Sequence, residues 1–93
     1  MEEIELTAIT VFSKKNCKWC GLAKKLLRSK GISFTEVKIP DKISKEEFQY
    51  IAEKYDTRPT VPKVFKGPKL IGGYEDLVDY FENEEGSYGE GKL

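Results

Sequence analysis

Cys17 and Cys20 are the only cysteines of the chain, and they are separated by two residues, Lys18 and Trp19. The pair lies between a short apolar run, Ala8-Ile9-Thr10-Val11-Phe12, and a segment whose apolar residues recur with helical period. A sulfur at a helix start meets unpaired backbone N–H groups and the positive end of the helix dipole, both of which favour an anion. Cys17 is therefore expected to titrate below an ordinary cysteine and to act as the nucleophile. Cys20 falls one helical turn later, close enough to attack a disulfide formed on Cys17 and resolve it. Lys14 and Lys18 add positive charge nearby. Metal binding is the competing use of two thiols, but a closed structural zinc site needs four ligands. The sequence holds no third cysteine and no histidine, so a site would need carboxylates or a second chain, and no metal is expected. The missing histidine also excludes a Cys–His hydrolase.

The elements that hold this pair must come from one small domain, since 93 residues allow a single core. Its 16 basic and 16 acidic residues cancel, leaving no net field to attract phosphates, so neither nucleic acid nor a membrane surface is an expected partner. No stretch reaches the roughly 18 apolar residues of a membrane span. The acidic start, Met1-Glu2-Glu3, is unlike a secretory signal, and the expected compartment is a reducing cytoplasm.

Residues 7–12 read as a buried strand of a parallel sheet. From Cys17 to Lys30, the residues Trp19, Leu22, Ala23, Leu26 and Leu27 form one face of an amphipathic helix, which Gly31 stops. Residues 32–39 form a second strand whose alternation slips a phase between Phe34 and Val37. Strand, helix and strand in this order predict a parallel pair joined by a right-handed crossover. Ser44 and Glu47 have capping-box spacing ahead of a second helix, carrying Phe48, Ile51, Ala52 and Tyr55, that should end before Thr57 because of Pro59. Residues 60–65 and 69–71 make an antiparallel hairpin across Lys66-Gly67-Pro68. A third helix follows Gly72-Gly73, with Glu75 and Asp76 in its first turn. The domain is expected to span residues 1–83, with the Gly-rich, charged residues 84–93 as a flexible tail. The fold class is α/β, in the order β-α-β-α-β-β-α: a four-stranded mixed sheet with helices on both faces.

Three residue groups now stand together: Lys14-x-x-Cys17-x-x-Cys20, Thr60-Val61-Pro62, and Gly72-Gly73-Tyr74-Glu75-Asp76-Leu77. In this order and spacing the chain resembles the glutaredoxins, of the thioredoxin superfamily, over roughly residues 7–83. It departs from the family's usual Cys-Pro-Tyr-Cys with Cys17-Lys18-Trp19-Cys20, and has Tyr74 where a cysteine is common.

The resemblance implies a thioredoxin-like fold and a monomeric glutathione-dependent thiol–disulfide oxidoreductase, with glutathione as its reducing co-substrate. Its other partners would be disulfide-containing or glutathionylated proteins, a ribonucleotide reductase among them. It implies that Lys14 contacts glutathione and that Pro62 is cis beside the active cysteine, leaving the backbone at Thr60 and Val61 to pair with the peptide. Backbone at Gly73, Tyr74 and Glu75, with Asp76, would hold the γ-glutamyl end, and Arg58 would pair with the glycyl carboxylate. Trp19 is expected to lie partly exposed on the recognition surface. Two alternatives follow from the departures: a thioredoxin-like electron donor recharged by a flavoprotein reductase, and a carrier of a glutathione-ligated iron–sulfur cluster across a dimer.

Overall fold

The first strand, β1 (Ile9–Lys14), is the axis of the sheet: its alternate residues Ile9, Val11 and Ser13 are buried on one face while Phe12 points to the other. In the computed structural model, which describes residues 8–89, it is followed by α1 (Lys18–Ser29), β2 (Phe34–Ile39) and α2 (Lys45–Lys54). The hairpin β3 (Lys63–Lys66) and β4 (Lys69–Gly72) then leads into α3 (Tyr74–Gly89). The strand order is β2-β1-β3-β4. β1 runs parallel to β2 and antiparallel to β3, which pairs antiparallel with β4 through an irregularity between Val64 and Phe65. This is the mixed four-stranded thioredoxin-like sheet that the sequence predicts. The expected strand start at residue 7 lies outside the described residues.

Each face of the sheet has its own core. Ile9, Val11 and Val64 pack with Ala23 and Leu27 of α1 and Leu77 of α3. Burying a leucine as fully as Leu27 and Leu77 stabilises by roughly 1.5–3 kcal/mol each. On the opposite face Phe12 meets Phe48 of α2 at 5.4 Å and Phe65 at 5.5 Å, and Phe65 meets Tyr55 edge-on at 4.9 Å. The phase slip in β2 is the trace of these two cores. Phe34 joins the α1–α3 side, whereas Ile39, of opposite strand parity, is buried on the α2 side.

Local chemistry ends the helices. Gly31, at φ 72°, follows α1; its N–H reaches Arg28 O at 2.9 Å, and Ile32 N–H reaches Leu27 O at 3.0 Å. That pair of bonds is a Schellman closure. α2 begins with the full capping box between Ser44 and Glu47. It ends by the same closure as α1, with Asp56 at φ 56° and Thr57 N–H on Ala52 O at 2.9 Å, so Asp56 rather than Pro59 sets the end. The Ile39–Pro40 bond is cis, which the sequence reading does not anticipate.

α3 runs through residues 84–89, the first part of the segment expected to be a tail. No proline interrupts Glu82-Asn83-Glu84-Glu85, and glutamate is a good helix former, so the helix continues past Asn83. Residues 90–93 lie outside the described residues.

One polar cluster ties β1, β2 and α1 together. Ser13, fully buried, donates to Glu36 Oε2 at 2.6 Å, and Lys24 Nζ donates to the same oxygen at 2.8 Å. The lysine hydrogen bond, then the serine one, holds the Glu36 carboxyl below the usual carboxylate value. A lowered folded-state pKa contributes stability above the unfolded value and loses it as pH falls through the folded one. With the Glu36 side chain 25% exposed and so partly screened, the contribution is on the order of 1 kcal/mol. Glu36→Gln should therefore melt about 4–8 °C below wild type at pH 7. The gap should close as pH drops below about 4; a gap that stays constant from pH 7 to pH 3 would refute this account.

Candidate active site

Lys15 and Asn16 connect β1 to α1, with Asn16 at φ 56°, a left-handed conformation that asparagine tolerates. Cys17 follows in extended conformation (φ −115°, ψ 106°) as the N-cap of α1. Its Sγ accepts the Cys20 N–H at 3.2 Å, so the sulfur fills the position that a serine or aspartate oxygen usually takes. The two sulfurs are joined in a disulfide, with Cα atoms 5.2 Å apart. Cys17 is half-buried and Cys20 is 2% exposed. An external thiolate thus has access to one sulfur of the pair.

Two other connections come to the same end of the sheet. The segment ahead of β3 turns through a Thr60 N–H to Arg58 O bond of 2.8 Å and enters the strand by a cis Val61–Pro62 bond, with Pro62 buried. The turn ahead of α3 has Gly72 at φ 127°, and a Cβ there would collide with the Asp76 side chain. Asp76 Oδ2 in turn accepts the Gly73 N–H at 3.0 Å, closing the helix start as an N3 acid does in a capping box. Gly73 lies against the Pro62 carbonyl, where a Cβ would sit 3.6 Å away.

Between these walls lies a groove of about 350 Å³ lined by Trp19, Thr60, Val61, Pro62, Lys63, Gly73, Tyr74, Glu75 and Asp76. Trp19, 50% exposed, packs its ring 5.5 Å from that of Tyr74, and Lys18 Nζ lies 5.9 Å from the Trp19 ring. This contact joins the disulfide turn of α1 to the start of α3. A second groove, of about 480 Å³, lies on the α2 side of Thr60 and Val61 and is lined also by Lys14, Lys45, Gln49 and Pro59. Thr60 and Val61 are therefore a rib between two grooves.

Of the residues singled out in the sequence, Trp19, Thr60, Val61, Pro62, Gly73, Tyr74, Glu75 and Asp76 meet on one groove. Lys14 lies on the other. Arg58 is exposed and lines neither. Sequence reasoning missed Lys45, Gln49 and Lys63. Lys45 and Gln49 carry a signal, because they are one helical turn apart and flank the core residue Phe48. Lys63 interrupts the apolar run Val61-Pro62-Lys63-Val64-Phe65, and it is only 7% exposed. Its Nζ donates to Thr60 Oγ1 at 3.0 Å. Burial pulls its pKa below the usual lysine value, and the Asp76 carboxylate opposes that pull.

Comparison with known proteins identifies the family and the fold. The glutaredoxin family model matches residues 9–71. Glutaredoxin 3 of Escherichia coli is 39% identical over 69 residues, covering 74% of this chain and 80% of that protein. The hybrid peroxiredoxin hyPrx5 of Haemophilus influenzae is 39% identical over 74 residues; the match covers 80% of this chain but 29% of that longer protein. Among solved structures, a buckwheat glutaredoxin–glutathione complex superposes with a TM-score of 0.75 at 25% identity, covering 90% of this chain and 77% of that one. The holo form of glutaredoxin C1 from Populus tremula x tremuloides gives 0.72 at 33% identity, covering 90% and 84%. With its paired Cys17 and Cys20 at a helix start, the chain belongs to the glutaredoxin family and is a thiol–disulfide oxidoreductase.

Proposed function

We propose that the protein is a glutathione-dependent dithiol glutaredoxin that reduces glutathione mixed disulfides and protein disulfides. The observation that carries this reading is the groove beside the disulfide turn, where Trp19, the Thr60–Pro62 backbone and the start of α3 converge. In the reduced protein, the Cys17 thiolate attacks the glutathione sulfur of a mixed disulfide. The bond to the substrate sulfur breaks, that thiolate leaves and takes a proton, and glutathione is held on Cys17. A second glutathione thiolate then attacks the glutathione sulfur, giving oxidised glutathione and the Cys17 thiolate. With a protein disulfide, Cys17 becomes joined to the substrate. Cys20 gives up its proton and attacks Cys17 Sγ, releasing the substrate as a dithiol and leaving the Cys17–Cys20 disulfide. Two glutathiones return that disulfide to the dithiol.

The exposure difference between the cysteines supports the division of roles, and the Cys20 N–H aimed at Cys17 Sγ favours its thiolate. The Thr60–Val61 segment precedes β3 and lies outside its ladder, a position suited to pairing with the glutathione peptide. The γ-glutamyl end then lies toward Tyr74, Glu75 and Asp76, and the glycyl carboxylate falls in the second groove, toward Lys14, Lys45 and Gln49. Arg58, which lines neither groove, is given no role in this arrangement.

Titration of the reduced protein should place the Cys17 thiol below the ordinary ~8.5; an ordinary value would contradict the helix-start argument. In glutathione-coupled assays, Cys17→Ser should abolish both reactions. Cys20→Ser should keep reduction of a small glutathione mixed disulfide while losing that of a protein disulfide, and equal loss of both would reject the assigned roles. For the second groove, Lys14→Ala and Lys45→Ala should each raise KM for a glutathione mixed disulfide about two- to fivefold, as expected for exposed charges. A glycyl ester of the substrate should erase that difference, and persistence of the difference with the ester would move the carboxylate elsewhere.

A further inference from the structure

Lys63 is the only charged side chain that is buried among the described residues, and the chemistry above does not use it. An ammonium is expensive to withdraw from water, so its retention beneath the cis-proline loop calls for a partner. The protein supplies only part of one. Lys63 Nζ donates to the neutral Thr60 hydroxyl at 3.0 Å and feels the Asp76 carboxylate, which is itself engaged by the Gly73 N–H at 3.0 Å. Lys63 lines the groove, where the other ionisable side chains that carry charge at neutral pH are Glu75 and Asp76. Without Lys63 this end would be purely acidic and would favour a simple cation. With it, positive and negative charge stand together, a pattern that matches a carbon bearing both an ammonium and a carboxylate.

We propose that Lys63 is a specificity-determining residue: its buried ammonium supplies the positive charge that the α-carboxylate of a γ-glutamyl head approaches, while Glu75 and Asp76 face the head's ammonium. This rests on the glutathione reading and assigns the residue that makes the groove select a zwitterion. An incoming carboxylate adds to the opposition that Asp76 already offers to the effect of burial on Lys63.

The test uses single-turnover reduction by the reduced protein, read as release of 2-mercaptoethanol. The substrates are its mixed disulfide with glutathione and the same compound with the γ-glutamyl α-carboxylate converted to a carboxamide. In wild type the carboxamide should raise the half-saturating concentration about tenfold, the scale of one charge-assisted hydrogen bond. Lys63→Met should raise it about tenfold for the glutathione compound, and the carboxamide should then add less than about twofold. Limiting rates should fall less than about twofold, and Lys63→Arg should return to within about threefold of wild type. The melting temperature of Lys63→Met should equal or exceed that of wild type, because a buried charge is removed; should that variant not fold, Lys63→Gln serves the same comparison. Wild-type discrimination retained in Lys63→Met, or a joint fall of limiting rate and melting temperature, would overturn the inference. Indifference of wild type to the carboxamide overturns it too, while leaving the glutathione reading intact if glutathione is still preferred to cysteine in the mixed disulfide. Loss of that preference in wild type overturns the reading itself.

Discussion

The contact from the Cys20 N–H to Cys17 Sγ serves two purposes at once. As an N-cap, it satisfies a backbone donor that the first turn of α1 leaves without a helical partner. As chemistry, it directs a dipole at the sulfur that the proposed mechanism uses as nucleophile. Serine, aspartate or asparagine would cap the helix better. Placing a cysteine there sacrifices some helix stability but sets a sulfur where a helix start favours negative charge. The same turn buries Cys20 while leaving Cys17 reachable. Fold and reactivity therefore share one hydrogen bond.

Strand direction explains why the rest of the site assembles around that bond. β1 is antiparallel to β3, and β3 is antiparallel to β4. The C-terminal end of β1, the start of β3 and the C-terminal end of β4 consequently lie at one edge of the sheet. The disulfide turn, the Val61–Pro62 entry and the Gly72–Gly73 turn occupy those ends in that order. β2, parallel to β1, also finishes there, and its last residue, Ile39, lines the second groove with α2. Segments more than fifty residues apart in sequence are thus neighbours because of sheet order alone, and the loops need no long excursions to meet.

Much of this was legible in the sequence because it is written in short-range patterns. Helical periodicity located α1, the Ser44/Glu47 spacing located the start of α2, and the doubled glycine located the turn before α3. The less legible features depend on what lies across space. Asp56 ends α2 by adopting a left-handed conformation, which glycine or asparagine signals more plainly than aspartate does. Lys63 looks like an ordinary strand lysine until Asp76, thirteen positions on, is seen to be its electrostatic partner. Arg58 drew notice by rarity of type, whereas Gln49, an unremarkable helix residue, is the one on a groove. Residue type announces chemistry, but only packing decides which copy faces the site.

The zero formal net charge of the chain conceals an ordered distribution around the rib formed by Thr60 and Val61. On one side the charged groove residues are Lys14 and Lys45; on the other they are Glu75 and Asp76 with Lys63 buried among them. A thiol peptide with a lone carboxylate at one end and a zwitterionic head at the other can satisfy both sides in one direction only. Reversal would set the head's ammonium against two lysines and forfeit the match of opposite charges. Direction matters because a disulfide exchange requires the attacked sulfur to lie in line with the attacking one. In the proposed binding mode, the charges far from the sulfur would act on the reaction by orientation, from connections that the sheet has already brought together.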